Sequence, residues 1–448
     1  MTGQDSTERS MNTPPENRSE ALSARLVALQ LLCDVLDKKI PFDQALDSMA
    51  AFRMLSGRDR AFTRMLASTT IRRLGQVDDL ILRMTEKGVP PSPPLAHHIL
   101  RLGATQLFFM DVPVYAAVDT AVRMAEDRGL GRLKGFVNAI MRRMDREGQP
   151  LIEAQDEVRL NVPDWLYDIW ADDYGDEIAY AMAASLLKEA PLDITIKDPA
   201  MQSYWASQLA AQILPSGSLR REAGGLVSEL PGFDEGMWWV QDLSASLPAK
   251  LLGDVKGKRV LDLCAAPGGK TAQLAAMGAA VTALDRSAGR LRRLAENMRR
   301  LRLEVDTIAA DASVWQPPES VDHILLDAPC SATGTIRRHP DVMHLKRPQD
   351  IEALCTTQDK LLAQASTMLN TGGLLIYCTC SLQKAEGEQR IESFLRSHPD
   401  MVRYPIRPEE VLGLEESLTI MGDMRILPHQ CQDMGGMDGF YICRLQKR

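Results

Sequence analysis

The segment RVLDLCAAPGGKT spans residues 259–271 and joins an apolar strand pattern, a loop with two adjacent glycines and the start of a helix that continues through AQLAAM. Gly268 and Gly269 would let a ligand approach the backbone closely, and the amino terminus of the following helix offers N–H groups that no helical carbonyl accepts. The segment therefore predicts a ligand-binding loop between a strand and a helix.

Further apolar strand patterns follow this one and alternate with helical stretches. The alternation predicts an α/β fold with a mainly parallel sheet and helices on both faces. Ligands of such sheets bind beyond the carboxyl ends of the strands. The predicted strands are residues 259–264, 280–285, 306–310, 323–327, 374–378 and 440–445.

The part of the chain before this sheet is organised differently. Residues 1–19 are polar and contain proline, which is typical of a mobile tail. Residues 20–146 repeat apolar side chains at steps of three and four, which predicts an all-helical domain. Residues 147–250 carry only short apolar runs, such as LDITI and MWWVQ, and are interpreted as a linking subdomain before the α/β domain of residues 251–448.

Composition and charge limit the possible classes of protein. No apolar stretch approaches the roughly 20 residues that cross a bilayer, and the amino terminus lacks the apolar segment of a secretion signal, so we expect a cytoplasmic protein without a membrane partner. The net charge of −8 argues mildly against nucleic acid. Two arginine-rich segments, 286–302 and 337–347, nevertheless permit an RNA-binding surface.

The glycine loop matches neither of the common nucleotide motifs. A P-loop would require glycine where this chain has Cys264, and the dinucleotide pattern G-x-G-x-x-G is absent. Asp285 and Asp311 follow successive predicted strands, where a carboxylate can accept hydrogen bonds from ribose hydroxyls. This combination lacks phosphate-binding chemistry, so S-adenosylmethionine, which carries no phosphate, is the cofactor that fits best.

Eight cysteines are placed irregularly, which favours free thiols over a disulfide framework. Cys330, in DAPCS, and Cys380, in CTCS, follow the fourth and fifth predicted strands of the parallel sheet. Because these strands are neighbours in the usual order of such sheets, the two thiols should face each other across the ligand crevice. No metal is expected, since the thiols lack paired ligand spacing and the histidines show no H-x(3–5)-H pattern.

Thiols beside a methyl donor suit the methylation of carbon 5 of cytosine. That carbon does not attack a sulfonium unaided, but a thiolate added at carbon 6 makes it electron-rich. A second positioned group can then assist loss of the carbon 5 proton and release of the enzyme. Asp327, at the end of the fourth predicted strand, is placed to protonate or hydrogen-bond the ring nitrogen N3.

Four segments, LDLCAAPGGKTAQL, ALDRS, DAPCSATGTIRRHPDV and IYCTCSLQKAEGE, resemble in order and spacing the motifs of the NOL/NOP/Sun family of RNA cytosine-5 methyltransferases. The resemblance implies a Rossmann-like methyltransferase sheet, with Cys380 as the nucleophile and Cys330 as the residue that promotes product release. It further implies that the S-adenosylmethionine site is lined by Cys264, Ala265, Ala266, Pro267, Gly268, Gly269, Lys270, Asp285, Asp311 and Asp327.

The amino-terminal helices resemble the NusB-type RNA-binding domain, notably in LSGRDRAFTRML and GFVNAIMRRM. A NusB-like domain joined to this catalytic half implies that the substrate is a specific cytosine of small-subunit (16S) ribosomal RNA. Two alternatives stay open. The same chemistry could act on transfer RNA, or the chain could be a NusB-like RNA-binding protein with a vestigial catalytic half.

Two departures from the family pattern concern residues near the expected site. The family usually shows Arg-Val-Asn where this chain has Thr195-Ile196-Lys197, so RNA contacts are not carried over to that strand. Ala332 stands where glycine is common after Pro-Cys-Ser. Beside the same loop, the run 337–339, Arg-Arg-His, is a candidate for contacts with RNA phosphates.

Overall fold

The computed structural model describes residues 15–85, 94–411 and 413–448. The chain divides into two compact units, residues 1–161 and 162–448, which are called the amino-terminal and the carboxy-terminal unit below. Along the described residues, no helix combines the length and the apolar character that crossing a membrane requires.

The described part of the amino-terminal unit is helical, which confirms the prediction from its periodicity. Helix α1 begins at Pro15, earlier than the expected start near residue 20, and residues 1–14 of the predicted tail lie outside the described residues. The helices are α1 Pro15–Leu32, α2 Phe42–Ser48, α3 Ala50–Met54, α4 Gly57–Arg72, α5 Leu74–Met84, α6 Leu95–Phe108, α7 Val114–Asp127, α8 Lys134–Glu153 and α9 Glu157–Asn161.

Helix α8 continues past residue 146, where the sequence analysis placed the end of the helical domain. Gly148 and Pro150, which usually break helices, lie inside its last turns. Gly148 is tolerated because it packs against an aromatic ring: a Cβ there would lie 2.4 Å from Cζ of Phe108. Tertiary packing thus outweighs the local tendency of these two residues to end a helix.

The carboxy-terminal unit begins with two helices and a small sheet, in the region whose fold the sequence did not predict. The sheet is antiparallel, in the order β2-β3-β1-β4, and its core contains Ile194, Trp205 and Trp238. Its strand β1 is the run LDITI. The elements are α10 Asp164–Tyr174, α11 Asp176–Leu186, β1 Leu192–Ile196, α12 Gln202–Gln208, β2 Gln212–Ile213, β3 Leu219–Arg221 and β4 Trp238–Val240.

An eight-stranded sheet forms the rest of this unit, in the order β10-β12-β9-β8-β5-β6-β7 with β11 paired to β12. The strands from β9 to β7 pair in parallel, and the pairs that involve β12 are antiparallel. The elements are α13 Leu243–Lys250, β5 Arg259–Leu263, α14 Gly269–Ala276, β6 Ala280–Asp285, α15 Ala288–Leu301, β7 Asp306–Ala309, β8 Val321–Asp327, α16 Val342–Leu345, α17 Pro348–Met368, β9 Leu369–Thr379, α18 Glu388–Ser397, β10 Met401–Arg403, β11 Met424–Ile426 and β12 Phe440–Lys447.

Each of the six predicted strands of this sheet is present, so the α/β prediction is confirmed. Both faces of the sheet are covered, as alternate residues of β8 show. Leu325 packs in a cluster with Leu247 of α13, whereas Ile324 and Leu326 pack in another with Leu362 of α17. Successive side chains of a strand point to opposite faces, so helices lie on both sides.

The parallel register brings the carboxyl ends of four strands to one edge of the sheet. Leu263 of β5 pairs with Leu284 of β6 and Leu326 of β8, and Asp327 of β8 pairs with Cys378 of β9. The loops that follow these strands therefore start side by side, and they contain the residues singled out by the sequence analysis.

Candidate active site

The glycine loop after β5 begins and ends with residues in the left-handed backbone region. Cys264 has φ of 62° and Gly268, which caps α14, has φ of 102°. A Cβ at Gly268 would lie 2.8 Å from Cγ of Leu294, so packing as well as backbone conformation requires glycine there. Cys264 is half-buried, and burial raises the pKa of its thiol to about 12, so this cysteine is not a thiolate near neutral pH.

Asp285 ends β6 and binds the glycine loop. Its side chain is 2 % exposed, accepts hydrogen bonds from the backbone nitrogens of Ala266 (3.3 Å) and Ser287 (2.9 Å), and forms an ion pair with Arg290 at 3.2 Å. A carboxylate has about four acceptor positions, so one or two remain for a ribose hydroxyl. Asp285 thus holds the glycine loop, and its contact with a ribose stays a prediction.

Asp311 lies two residues beyond the end of β7 and is exposed. Its carboxylate accepts hydrogen bonds from the backbone nitrogen (2.9 Å) and the hydroxyl (2.7 Å) of Ser313, and these bonds lower its pKa. This pattern is that of a turn residue. The structure places Asp311 at the same sheet edge, and its contact with a cofactor stays a prediction.

Asp262 was missed by the sequence analysis, although an acidic residue inside an apolar strand is itself a signal. It lies in β5 and is fully buried. The hydroxyl of Thr271 donates to Oδ2 at 2.6 Å, and Oδ1 has no hydrogen-bond partner among the described residues. Burial raises the pKa of Asp262 to about 7, so this carboxyl exchanges its proton near neutral pH.

Lys270 and Asp327 form an ion pair between the glycine loop and the end of β8, with 2.8 Å between Nζ and Oδ2. Burial opposes the charge on Lys270, but Asp327, Cys378 and Cys380 outweigh it and raise the pKa of the ammonium group above its ordinary value. The other oxygen of Asp327 lies 3.5 Å from the thiol of the buried Cys378. Asp327 is 32 % exposed, so it remains accessible to a ligand.

Cys330 and Cys380 are brought together as the strand order predicted, with 3.5 Å between the two Sγ atoms. Both are half-buried, and all eight cysteines are unpaired. The hydrogen bond with Cys380 and then burial raise the pKa of the Cys330 thiol well above its ordinary value. The two thiols are therefore in contact, and this contact helps to keep Cys330 protonated.

The expectation that Arg337 and Arg338 bind RNA phosphates is wrong. Arg337 is 3 % exposed and donates to the backbone oxygen of Gly435. The guanidinium of Arg338 pairs with Asp242 at 2.6 Å and with Asp438 at 3.0 Å. Sequence shows how many charges a segment holds but not which distant acids neutralise them, and these two arginines are used inside the fold.

The segment Thr195-Ile196-Lys197, which departs from the family pattern, also faces the interior. The hydroxyl of Thr195 donates to Gln241 at 2.8 Å, and Nζ of Lys197 donates to the backbone oxygen of Leu301 at 3.1 Å. By contrast, the arginines of the first basic segment are mostly exposed. Those classed as exposed are Arg286, Arg290, Arg292, Arg293, Arg299 and Arg302.

One group in the amino-terminal unit brings three possible metal ligands within 4.8 Å of one another: Cys33, Asp37 and His98. Arg101 contacts Nδ1 of His98 at 3.1 Å, and an arginine N–H can only donate. Nδ1 therefore accepts, and Nε2 carries the ring proton, which faces Asp37 at 3.1 Å. This tautomer offers no lone pair to a metal, so the group is a hydrogen-bonded core histidine.

The sheet edge fits S-adenosylmethionine in the chemistry of its donors and acceptors. Asp285 and Asp327 keep acceptor positions for the hydroxyl and ammonium groups of the molecule. The loop between them is shaped by glycine and has no cluster of cations that would bind phosphate. The predicted lining residues, Cys264–Lys270 with Asp285, Asp311 and Asp327, lie at or next to this edge.

Comparison with known families matches both parts of the chain. The family described as 16S rRNA methyltransferase RsmB/F matches residues 249–446, and the NusB family matches residues 22–146. The probable ribosomal RNA small subunit methyltransferase B of Synechocystis is 34% identical over 95% of this chain and 100% of its own length. Ribosomal RNA small subunit methyltransferase B of Pseudomonas putida is 34% identical over 95% of this chain and 99% of its own length.

Solved structures share the fold. The crystal structure of PH0851 superposes with a TM-score of 0.77 at 23% identity, covering 98% of this chain and 100% of that one. NSun6 from Pyrococcus horikoshii, solved with SFG, superposes with a TM-score of 0.55 at 21% identity over 64% of this chain and 98% of that one. The resemblance read from the motifs is confirmed, and the chain belongs to the RsmB/F family of 16S rRNA methyltransferases.

Proposed function

We propose that this chain transfers a methyl group from S-adenosylmethionine to carbon 5 of one cytosine in small-subunit ribosomal RNA, through a covalent adduct with Cys380. The observation that carries the proposal is the pair of thiols 3.5 Å apart at the ends of two parallel strands, beside Asp327 and the glycine loop. Methylation of a nitrogen or an oxygen does not require a thiol, whereas methylation of carbon 5 does. The names of the relatives support ribosomal RNA as the substrate.

S-adenosylmethionine, the methyl donor of this family, supplies an electrophilic methyl group when bound. The residues proposed to hold it are the backbone of Cys264–Lys270 and the carboxylates of Asp285, Asp311 and Asp327. Lys270 has a second role, because its buried ammonium group balances the negative charge of Asp327.

Cys380 is proposed to attack. Its thiolate sulfur forms a bond to carbon 6, and the electron pair of the 5,6 double bond becomes available at carbon 5. Asp327 stabilises the charge that this addition spreads onto the ring, by a hydrogen bond to or proton transfer at N3. Carbon 5 then forms a bond to the methyl group, the bond between that methyl group and the sulfonium sulfur breaks, and a neutral thioether would be left. The adduct still contains the carbon 5 proton and the bond from carbon 6 to the sulfur of Cys380.

Cys330 is proposed to assist release. Elimination passes the carbon 5 proton to solvent water, restores the double bond and expels the thiolate of Cys380. A thiol that stays protonated can stabilise a departing thiolate by a hydrogen bond, and Cys330 is such a thiol at 3.5 Å. The family resemblance assigns attack to Cys380 and release to Cys330, and the raised pKa of Cys330 supports the second role.

The test is methyl transfer from labelled S-adenosylmethionine to small-subunit ribosomal RNA, with bisulfite sequencing to find the modified base. We expect a single 5-methylcytosine with the unaltered protein and none with Cys380→Ala. Cys431→Ala, which removes another half-buried thiol, should retain full activity. Full activity of Cys380→Ala would refute the mechanism, and label that appears on transfer RNA alone would refute the substrate.

A further inference from the structure

The two cysteines are each followed by a serine, and the serines are buried beneath them. Ser331 follows Cys330 and Ser381 follows Cys380, and both serines are fully buried. The Oγ atoms of the serines lie 3.1 Å apart, close to the 3.5 Å between the two sulfurs. The segments that carry the thiols therefore touch at two successive positions, and whatever holds the serines together also sets the separation of the thiols.

Glu386 contacts both serines, as does Gln383, whose Oε1 lies 3.0 Å from Oγ of Ser331 and 2.7 Å from Oγ of Ser381. The carboxylate of Glu386 is fully buried, and Oε2 accepts hydrogen bonds from the hydroxyls of Ser331 at 2.5 Å and Ser381 at 2.6 Å. Oε1 accepts from the backbone nitrogen of Ser331 at 2.9 Å and from Nε2 of Gln358 at 3.0 Å. All four acceptor positions of the carboxylate are thus occupied, and three of the four donors belong to the serines.

The position of Glu386 is itself fixed from two other directions. The hydroxyl of Tyr377, in β9, donates to the backbone oxygen of Glu386 at 2.8 Å. Nε2 of Gln358, in α17, also donates to the backbone oxygen of Pro329, the residue before Cys330, at 3.0 Å. Glu386 is therefore anchored to β9 through its backbone oxygen and to α17 through its carboxylate.

Burying a carboxylate costs free energy, so its contacts must compensate for the loss of hydration. Among the ion pairs of the described residues none involves Glu386, so hydrogen bonds alone compensate its charge. The negative charge of Glu386 also raises the pKa of the Cys330 thiol, although the hydrogen bond with Cys380 and burial contribute more. A buried, fully hydrogen-bonded acid next to the proposed reacting pair is typical of a residue that orders a site.

We propose that Glu386 is a positioning residue that fixes Cys330 against Cys380 by accepting hydrogen bonds from the serine that follows each cysteine. The inference rests on the function proposed above, because it assigns a purpose to the contact between the thiols. Glu386 does not touch the substrate in this role. It determines whether Cys330 reaches the sulfur that must leave carbon 6.

The test is Glu386→Gln, which keeps the volume of the side chain and removes its charge. In the variant, an NH₂ group replaces one of the two carboxylate oxygens. It would face either the two N–H donors of Ser331 and Gln358 or the two serine hydroxyls, which would then have to donate elsewhere. In both orientations at least one hydrogen bond to the serines is lost. We expect kcat for methyl transfer to fall about tenfold, as for the loss of one charge-assisted hydrogen bond, and KM for the RNA to fall with it, because only the release step is slowed. The slow step should become release, so a covalent protein–RNA adduct that survives denaturation should accumulate during turnover. Glu392→Gln, on the exposed side of α18, is the matched control and should behave as the unaltered protein.

A double-mutant cycle separates positioning from general destabilisation. Ser331→Ala should lower kcat and increase the adduct in the same way, and adding it to Glu386→Gln should cost little more, because both changes remove one interaction. If Glu386→Gln does not fold, Ser331→Ala tests the inference alone, because it keeps the carboxylate and should still lower kcat and increase the adduct. A variant with unaltered kcat and adduct level, or one in which only KM changes, would overturn the inference.

RNA that contains 5-fluorocytosine tests the proposed function independently of the role of Glu386. Fluorine cannot leave as a proton does, so an attacking thiolate stays attached to carbon 6. The unaltered protein should form this adduct, and Cys380→Ala should not. No adduct with the unaltered protein would refute the proposed function and the inference together, whereas an adduct combined with unaltered turnover in Glu386→Gln refutes the inference alone.

Discussion

Two groups of buried charges lie in the carboxy-terminal unit, and they differ in whether every carboxylate is paired with a cation. The first, called the arginine cluster here, comprises Arg220, Arg338, Asp193, Asp242 and Asp438. Arg220 pairs with Asp193 at 2.7 Å, and Arg338 pairs with Asp242 and Asp438. The second, the sheet-edge site, comprises Asp262, Lys270, Asp327, Cys330 and Cys380.

The arginine cluster joins segments that are distant in sequence, since Asp193 belongs to the small sheet and Asp438 precedes the last strand. Its cations have little access to solvent, with 6 % of the Arg220 side chain and 20 % of the Arg338 side chain exposed. The sheet-edge site instead keeps an accessible carboxylate, two half-buried thiols and, in Asp262, a buried acid that has no ion pair among the described residues. A cluster in which each acid has an arginine partner stabilises the fold, whereas a site that holds accessible or unpaired groups is available for chemistry.

The largest effect is expected from Arg338→Met, which breaks the arginine cluster. It leaves Asp242 and Asp438 buried without their cation, so the free energy of unfolding should fall by about 3–5 kcal/mol. All six tryptophans lie in the carboxy-terminal unit, so tryptophan fluorescence during urea unfolding reports on this unit. Arg299→Met, at an exposed position of α15, is the control and should change the free energy by about 0.5 kcal/mol or less. An equally small effect of Arg338→Met would mean that the cluster does not stabilise the fold.

The opposite pattern is expected from Cys330→Ala in the sheet-edge site. Turnover should fall about a hundredfold, because release loses its assisting group, while the free energy of unfolding changes by about 1 kcal/mol or less. Unlike Cys380→Ala, this variant should still attack and should accumulate the covalent adduct with ordinary RNA. Methyl transfer measured over many turnovers, with the adduct detected on a denaturing gel, checks both points. A variant that neither turns over nor forms the adduct would place Cys330 in the attack and not in the release.

A smaller effect, on pH dependence, is expected from Asp262→Asn. The folded-state pKa of Asp262 is raised to about 7 by burial, so the folded protein binds more protons than the unfolded chain between about pH 4 and 7. Its contribution to the free energy of unfolding is therefore complete below pH 4 and is lost as the pH rises through 7. Asp262→Asn should remove a decline of about 1.4 kcal/mol per pH unit within this interval.

The measurement is urea unfolding of the unaltered protein and of Asp262→Asn at several values of pH from 4 to 8. The free energy of unfolding of the unaltered protein minus that of Asp262→Asn should fall as the pH rises. Asp306→Asn, on the exposed part of β7, should give a curve parallel to that of the unaltered protein. A constant difference for Asp262→Asn would mean that this carboxyl stays ionised in the folded protein.

The sheet-edge site was largely predictable because its parts are local in sequence. Each strand of the parallel sheet is an apolar run between turn residues, and the order of strands in such sheets is nearly fixed. Cys330 and Cys380 follow neighbouring strands directly, so their contact could be inferred although 50 residues separate them. The glycine loop was predictable for the same reason, since its backbone conformation is dictated by its own residues.

The arginine cluster and the small sheet were not predictable, because they depend on pairings between distant segments. Strands β2, β3 and β4 are two or three residues long, too short to show a period. Arg338 was interpreted as a contact for phosphate, since nothing near it in sequence reveals its partners Asp242 and Asp438. Glu386 was missed for a similar reason: its contact with Ser331 spans 55 residues, and a single acid in a polar loop has no distinguishing pattern.

The smallest effect concerns Ala332, which lies two residues after Cys330 where the family usually has glycine. Its φ of 61° places it in the left-handed region, which disfavours a residue with a Cβ. Ala332→Gly should raise the free energy of unfolding by about 0.5 kcal/mol, because the relief of strain exceeds the extra freedom of glycine in the unfolded chain. Ala353→Gly, at an exposed position inside α17, should lower it by about 1 kcal/mol. The same urea titrations measure both, and opposite signs for two identical substitutions are the expected result. Two losses of equal size would mean that the backbone after Cys330 is not held in the left-handed conformation.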